Sequence, residues 1–221
     1  MFVGHYAASL ALKRVEKSAS LGMLFLAVQF VDILFFPFVL MGLERLNIIE
    51  NYTQSTHFEL VYMPYTHSLL AAFLWAGLIY ILFRLRPSKL VAKKSRIALV
   101  MALAVLSHWF LDLLVHTPDL PLLGDDSIKL GLGLWNNAIA AYSLEAVLLL
   151  GGLWLYLKAT DATSFAGKYG MIIFVLFLLA VNIVNIFGPL TGDSKPALAG
   201  SALTSYFVFA GIAFWLDKKR A

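Results

Sequence analysis

The sequence predicts an all-α fold: a polytopic membrane helix bundle that forms a single integral-membrane domain over residues 1–221. Composition is the first reason. Hydrophobic residues make up 61% of the chain and charged residues 14%, against about 45–50% and about 25% in soluble domains. The length of the apolar runs is the second reason, because several reach the roughly 20 residues that cross a bilayer. Together they exclude an ordinary soluble domain.

About six transmembrane helices are expected, preceded by a short N-terminal helix that dips into the membrane. The first apolar run follows Lys13, Arg14 and Lys17 and extends to about residue 43. It is too long for the apolar core of a cleaved signal peptide, so we expect a retained span. The predicted spans are 20–43, 66–86, 95–116, 132–157, 169–188 and 197–216.

The basic residues predict the orientation. Fourteen of the 17 Lys and Arg residues fall in connections on one side of the predicted spans, and only Arg45, Lys129 and Lys195 fall on the other. By the positive-inside rule, both termini are expected on the cytoplasmic side. The apolar runs make the lipid bilayer the expected partner. Because the basic residues sit at span ends, the net charge of +4 does not indicate nucleic acid, and no nucleic-acid partner is expected. The sequence gives no oligomeric state.

One stretch of the third span carries polar residues at helical spacing. His108, Asp112 and His116 follow one another at steps of four, which places them on one face of a helix. Ionisable residues are costly inside a membrane unless they face a cavity or one another. Histidine and aspartate are also good ligands for divalent metals. A metal site and a hydrogen-bonded His–Asp pair between helices both fit, and His116 also fits an interfacial position.

Helical rise places polar residues from other segments in the same layer. His108 lies about 18 Å and Asp112 about 24 Å from the basic edge, and Asp32 about 18 Å. His67 lies at about 25 Å and Glu145 at about 20 Å. We interpret this layer, between mid-membrane and the outer leaflet, as a cavity or an ion site, because buried polar groups need partners.

Three further residues fit this layer. His5 reaches about 12 Å if the N-terminal segment dips inward, although a surface anchor helix is the alternative. Asn182 and Asn185 fall at roughly 21–26 Å in the fifth span. Such amides are more typical of hydrogen bonds between helices than of metal sites. For Glu145, the roles left open are metal ligand, general base and partner of an asparagine. The absence of cysteine excludes thiolate ligands.

These residues support a family resemblance. His5, Asp32, the stretch 65–68 (Tyr-Thr-His-Ser) and Ser107-His108-x-x-x-Asp112 resemble the bacterial membrane-bound metal-dependent hydrolases, a group described as LexA-regulated. The resemblance covers most of the first 120 residues and implies a multi-pass protein of the bacterial inner (plasma) membrane. That family is thought to be distantly similar to zinc-dependent phospholipases C and single-strand nucleases.

The resemblance implies roles for individual residues. His5, Asp32, His67, His108 and Asp112 would be the metal ligands, with Asp112 bridging two ions. His116 would match the ligand that follows. The soluble enzymes then carry a His-x-x-x-Glu, but Ala141 stands four residues before Glu145 here. This departure favours one or two divalent ions, zinc first, over three.

The predicted function is hydrolysis of a lipid or lipid-linked substrate, with a phosphoester suggested by the distant similarity alone. Glu145 or His116 would be the catalytic proton-transfer group. The alternative is a transporter coupled to protons or metal ions that uses the same His/Asp cluster. A haem protein with histidine axial ligands is a third interpretation.

Overall fold

The computed structural model describes residues 1–87, 91–190 and 194–220. In these residues the chain forms eight α-helices, two short two-stranded sheets and two 3₁₀ turns. The helices are α1 His5–Val15, α2 Leu21–Val28, α3 Phe30–Leu40, α4 Leu69–Leu85, α5 Lys94–Val115, α6 Ala138–Ala159, α7 Phe165–Phe187 and α8 Lys195–Asp217. The strands are β1 Arg45–Ile48, β2 Phe58–Tyr62, β3 Leu120–Pro121 and β4 Lys129–Leu130. The predicted helical membrane bundle is confirmed.

By length and composition, the structure supports four to five of the six predicted spans. Among the described residues, four helices, α5 to α8, are long and apolar enough to cross a membrane, and α2 with α3 makes a fifth if the bent pair is one span. The predicted second span is α4, which has only 17 residues, or about 26 Å. It starts late because Ser68 caps it by accepting a hydrogen bond from Ala71 N, and the preceding residues form strand and turn.

The predicted first span is broken at Gln29. Helices α2 and α3 meet there at 48°, and the backbone of Gln29 leaves the helical conformation. At this break the Val28 carbonyl accepts a hydrogen bond from His108 Nδ1 at 2.6 Å. Asp32 lies in the first turn of α3. The break therefore places the Val28 carbonyl and the Asp32 carboxylate in the polar layer.

The N-terminal helix is enclosed by the bundle. α1 packs against α6, α2 and α5, and Val3, Tyr6 and Leu10 are fully buried. The close approach to α6 depends on Gly152, where a Cβ atom would lie 2.7 Å from Ala7 O. The predicted short helix is present, and its enclosure excludes the alternative of a surface anchor.

The two ends of the bundle differ in character. At one end, Lys13 Nζ binds Asp217 Oδ2 at 2.6 Å and Lys93 Nζ donates to Ser18 Oγ at 2.9 Å. At the other end lie the paired strands β1 and β2, together with β3 and β4. The loop between β1 and β2 is linked to the end of α7 and to the start of α6. His57 Nε2 lies 3.1 Å from Gly188 O, and Ala138 N donates a hydrogen bond to Gln54 Oε1.

Candidate metal centre

Asp112 is the centre of a buried cluster of histidines. Its Oδ2 lies 2.9 Å from His108 Nε2, 3.5 Å from His116 Nε2 and 3.9 Å from His67 Nε2. Its Oδ1 lies 3.1 Å from His5 Nε2. All five residues are buried, with no more than 4% of their surface exposed. Three segments distant in sequence therefore place four imidazoles around one carboxylate.

Asp32 adds a second carboxylate from α3. Its Oδ1 lies 3.2 Å from His67 Nε2 and 3.6 Å from His108 Nε2. Its Oδ2 accepts a hydrogen bond from Tyr206 Oη at 3.1 Å, which ties the cluster to α8. All five predicted metal ligands and His116 thus lie together.

Three of the imidazoles are oriented by their outer nitrogen. In each case Nδ1 is hydrogen-bonded to an oxygen, and Nε2 points towards the carboxylates. Metal-binding histidines show this arrangement, because the outer partner fixes both the tautomer and the ring. The partners are Val28 O for His108 (2.6 Å), Asp119 Oδ1 for His116 (2.8 Å) and Thr66 Oγ1 for His67 (2.7 Å).

His5 is the exception. Its ring stacks on that of His108, with the centroids 3.8 Å apart and the planes at 8°. Neither nitrogen has a hydrogen-bond partner among the described residues, although Nε2 lies near Asp112 Oδ1. An unpartnered buried polar group costs about 1–3 kcal/mol. A cation between His5 Nε2 and Asp112 would remove this cost for Nε2.

The donor atoms fit a divalent ion. Two sets of three have donors within 4.8 Å of one another: His5, His108 and Asp112, and Asp32, His67 and His108. Zinc bonds of about 2.0–2.1 Å in a tetrahedron place neighbouring donors about 3.3 Å apart. The contacts between Nε2 atoms and carboxylates span 2.9 to 3.9 Å. Since His108 gives Nδ1 to Val28, its Nε2 can serve one ion, so both sets cannot be filled completely at once.

Glu145 contacts the main chain of the N-terminal segment. Its Oε2 accepts hydrogen bonds from Phe2 N at 3.1 Å and Gly4 N at 2.9 Å. The Met1 amine nitrogen lies 2.7 Å from Asp112 Oδ1. The structure thus gives Glu145 main-chain partners, whereas an asparagine partner was one of the three roles that the sequence left open. Its part in proton transfer stays a prediction.

Of the two asparagines of α7, Asn182 departs from the prediction. Asn182 is fully buried, yet neither atom of its amide has a hydrogen-bond partner within the described part of the chain. The predicted bond between helices is therefore not made. Asn185 lines the cavity beside the cluster.

That cavity has a volume of about 450 Å³. Five polar residues at the cluster line it: Asp32, His67, Asp112, His116 and Glu145. Elsewhere the wall is mostly apolar and comes from α3, β1, β2, α7 and α8. Val184 on the α7 wall is 60% exposed, so the cavity is not closed off from the surface. The apolar wall includes Phe35, Leu46, Phe58, Leu60, Val181, Leu198 and Ala202.

Sequence reasoning missed several residues that support the cluster. Glu44 is buried beneath His67 and accepts three hydrogen bonds. Burial raises the pKa of the Glu44 carboxyl, although His67 and the hydrogen bonds from Thr66 and Tyr65 oppose the rise. Asp119 could have been predicted as a partner of His116, because it lies only three residues after it. Glu44 had none, because it lies 23 residues before His67.

Comparisons with protein-family models, curated proteins and solved structures find no match to this chain. The functional argument therefore rests on the geometry of the cluster and its cavity.

Proposed function

We propose that this chain is a membrane-embedded, metal-dependent hydrolase that acts on a lipid or lipid-linked substrate. The observation that carries the proposal is the convergence of buried imidazole Nε2 atoms on two carboxylates. His108, Asp112, Asp32 and His67 would hold the ion, with His5 completing the set. A bound divalent ion would acidify a water molecule and polarise the scissile bond.

His116 is suited to proton transfer. Its Nδ1 binds Asp119 Oδ1 at 2.8 Å, and the ring lines the cavity beside Asp112. The Asp119 carboxylate stabilises the imidazolium that forms when His116 accepts a proton. Glu145 lines the same cavity, but its Oε2 already accepts two main-chain hydrogen bonds. We therefore assign the proton transfer to His116 and the anchoring of the N-terminal segment to Glu145.

The shape of the cavity supports an amphiphilic substrate. One end is charged, and the remainder is lined by apolar side chains of α7 and α8 among others. A hydrolysable head group would lie at the cluster while its hydrocarbon chain occupies the apolar part. An opening between α7 and α8 would admit such a molecule from the bilayer. A phosphoester head group rests on the family resemblance alone.

Metal analysis of purified protein tests the proposal. Wild-type protein reconstituted with zinc should retain it after desalting, and Asp112→Asn and His108→Ala should lose it, because each removes a central donor. Asp125→Asn is the matched control, since Asp125, in the loop between β3 and β4, pairs with Lys129. A wild type that retains no metal, or variants that retain it fully, would refute the metal centre.

Activity distinguishes the hydrolase from the transporter. Zinc-loaded protein in liposomes should hydrolyse long-chain esters or phosphoesters faster than short-chain analogues, and His116→Ala should abolish turnover while keeping zinc. Cation or proton flux that depends on Asp112, without hydrolysis, would support the transporter instead.

A further inference from the structure

We propose that Glu44 and Thr66 are positioning residues that hold His67 in the tautomer that binds metal. This assignment rests on the proposed metal centre. It adds two residues that supply no donor atom to the ion site, and it gives the segment before α4 a part in building the centre.

A buried hydrogen-bond chain leads from Glu44 to the cluster. Glu44 Oε2 lies 2.7 Å from Thr66 Oγ1, and Thr66 Oγ1 lies 2.7 Å from His67 Nδ1. Glu44 and Thr66 are each 1% exposed and His67 is 4% exposed. Water therefore has little access to replace any partner in this chain.

The direction of each hydrogen bond follows from the chemistry. Glu44 Oε1 accepts from Tyr65 N at 2.9 Å and from Thr66 N at 3.0 Å, contacts that favour the ionised carboxylate. A carboxylate only accepts, so the single hydroxyl proton of Thr66 goes to Glu44. The hydroxyl oxygen must then accept from His67 Nδ1–H, and Nε2 is the nitrogen that faces Asp32 and Asp112.

The backbone of His67 is held independently of this chain. Its carbonyl accepts a hydrogen bond from Trp109 Nε1 at 3.0 Å, and Ser68 caps α4. Removing the Thr66 hydroxyl should therefore leave the fold intact and change only the tautomer and tilt of the ring. This separates a positioning role from a structural one.

Two isosteric variants test the proposal. In Thr66→Val, His67 Nδ1 loses its acceptor. In Glu44→Gln, the main-chain N–H groups hold the amide oxygen, so the NH₂ group faces Thr66 and the hydroxyl turns to donate to Nδ1. Both should weaken zinc binding by about 10–100-fold, the usual effect of losing an outer-shell partner. Binding is measured by competition between full-length protein and a zinc chelator.

Two control variants accompany them. Thr66→Ser keeps the hydroxyl and should bind zinc as the wild type does. Glu59→Gln changes an exposed carboxylate of the neighbouring strand, where its partner is Asn47, and should also leave the affinity unchanged. Wild-type affinity in both Thr66→Val and Glu44→Gln, or a Thr66→Ser variant as weak as Thr66→Val, would overturn the proposal.

Nitrogen NMR of ¹⁵N-histidine protein separates this proposal from the proposed function. In zinc-free protein, His67 Nδ1 should carry a proton in the wild type and lose it in Glu44→Gln. A wild type that binds no zinc would refute the metal centre while the spectra still decide the tautomer. Identical His67 signals in the two proteins would refute the positioning role.

Discussion

At the scale of single residues, the partners of each histidine decide what it does. His57 has both nitrogens near main-chain atoms: Nδ1 accepts from Asn51 N, and Nε2 lies 3.1 Å from Gly188 O. It links two parts of the fold and has no nitrogen left for a metal. In His108, Nδ1 is hydrogen-bonded to the main chain, and Nε2 faces the carboxylates of the cluster.

Replacing His5 by phenylalanine should preserve or raise the stability of the metal-free protein and weaken its binding of zinc. In His5→Phe the stacked ring remains, and two unpartnered buried nitrogens are replaced by carbon. Metal-free protein should melt no lower than the wild type, since a desolvation cost of about 1–3 kcal/mol disappears. The rise in melting temperature on adding zinc should shrink, because a donor is lost.

Thermal unfolding of the purified protein, with and without zinc, measures both effects. The His5→Phe result would contradict a ligand role if the variant gained as much stability from zinc as the wild type does. A large loss of metal-free stability would instead show that His5 already has a partner.

The spacing of polar residues made part of the centre predictable at this scale. Steps of four placed His108, Asp112 and His116 on one helix face, and the structure shows all three in contact. Glu44 and Tyr206 were not predictable, because their contacts join segments with no periodic relation. Only the packed structure brings Tyr206 of α8 to Asp32 of α3.

At the scale of elements, the contact of α1 with α6 positions His5. A Cβ atom at Gly152 would lie 2.7 Å from Ala7 O and 2.8 Å from Ala7 Cα. Both are backbone atoms that cannot rotate away. The neighbouring Gly151 has no atom within 4 Å of such a Cβ, so the two adjacent glycines form a matched pair.

We expect Gly152→Ala to push α1 away from α6. Gly151→Ala should leave the position of α1 unchanged. Overpacking of this type costs about 1–3 kcal/mol, and the displaced α1 carries His5 away from Asp112. Melting temperature and zinc affinity should therefore both fall in Gly152→Ala. Equal behaviour of the two alanine variants would refute this account of the interface.

At the scale of the whole molecule, the contacts confirm that most basic connections gather at one end. Lys13 reaches Asp217, Lys93 reaches Ser18, and Arg220 Nη1 donates to Gly167 O. These bonds join the α1–α2 connection to the start of α5, and the C-terminal segment to α1 and α7. Which side of the membrane this end faces is predicted by the positive-inside rule.

Single cysteines test that orientation cleanly because the chain has none of its own. Asp126 and Asp161 are both exposed, and they lie at opposite ends of the bundle. On intact spheroplasts, an impermeant maleimide should label Asp126→Cys and leave Asp161→Cys unmodified until the membrane is permeabilised. The reverse pattern would place the basic end outside.

The sequence by itself determined the class of the molecule and the residue types of its centre. Apolar runs must leave water and buried ionisable groups must find partners, and both requirements can be recognised from composition and spacing. The tertiary structure decided the break at Gln29, the short α4 and the partner of each nitrogen. These depend on contacts between distant segments, such as the carbonyl of Val28 with His108, and helical periodicity carries no information about them.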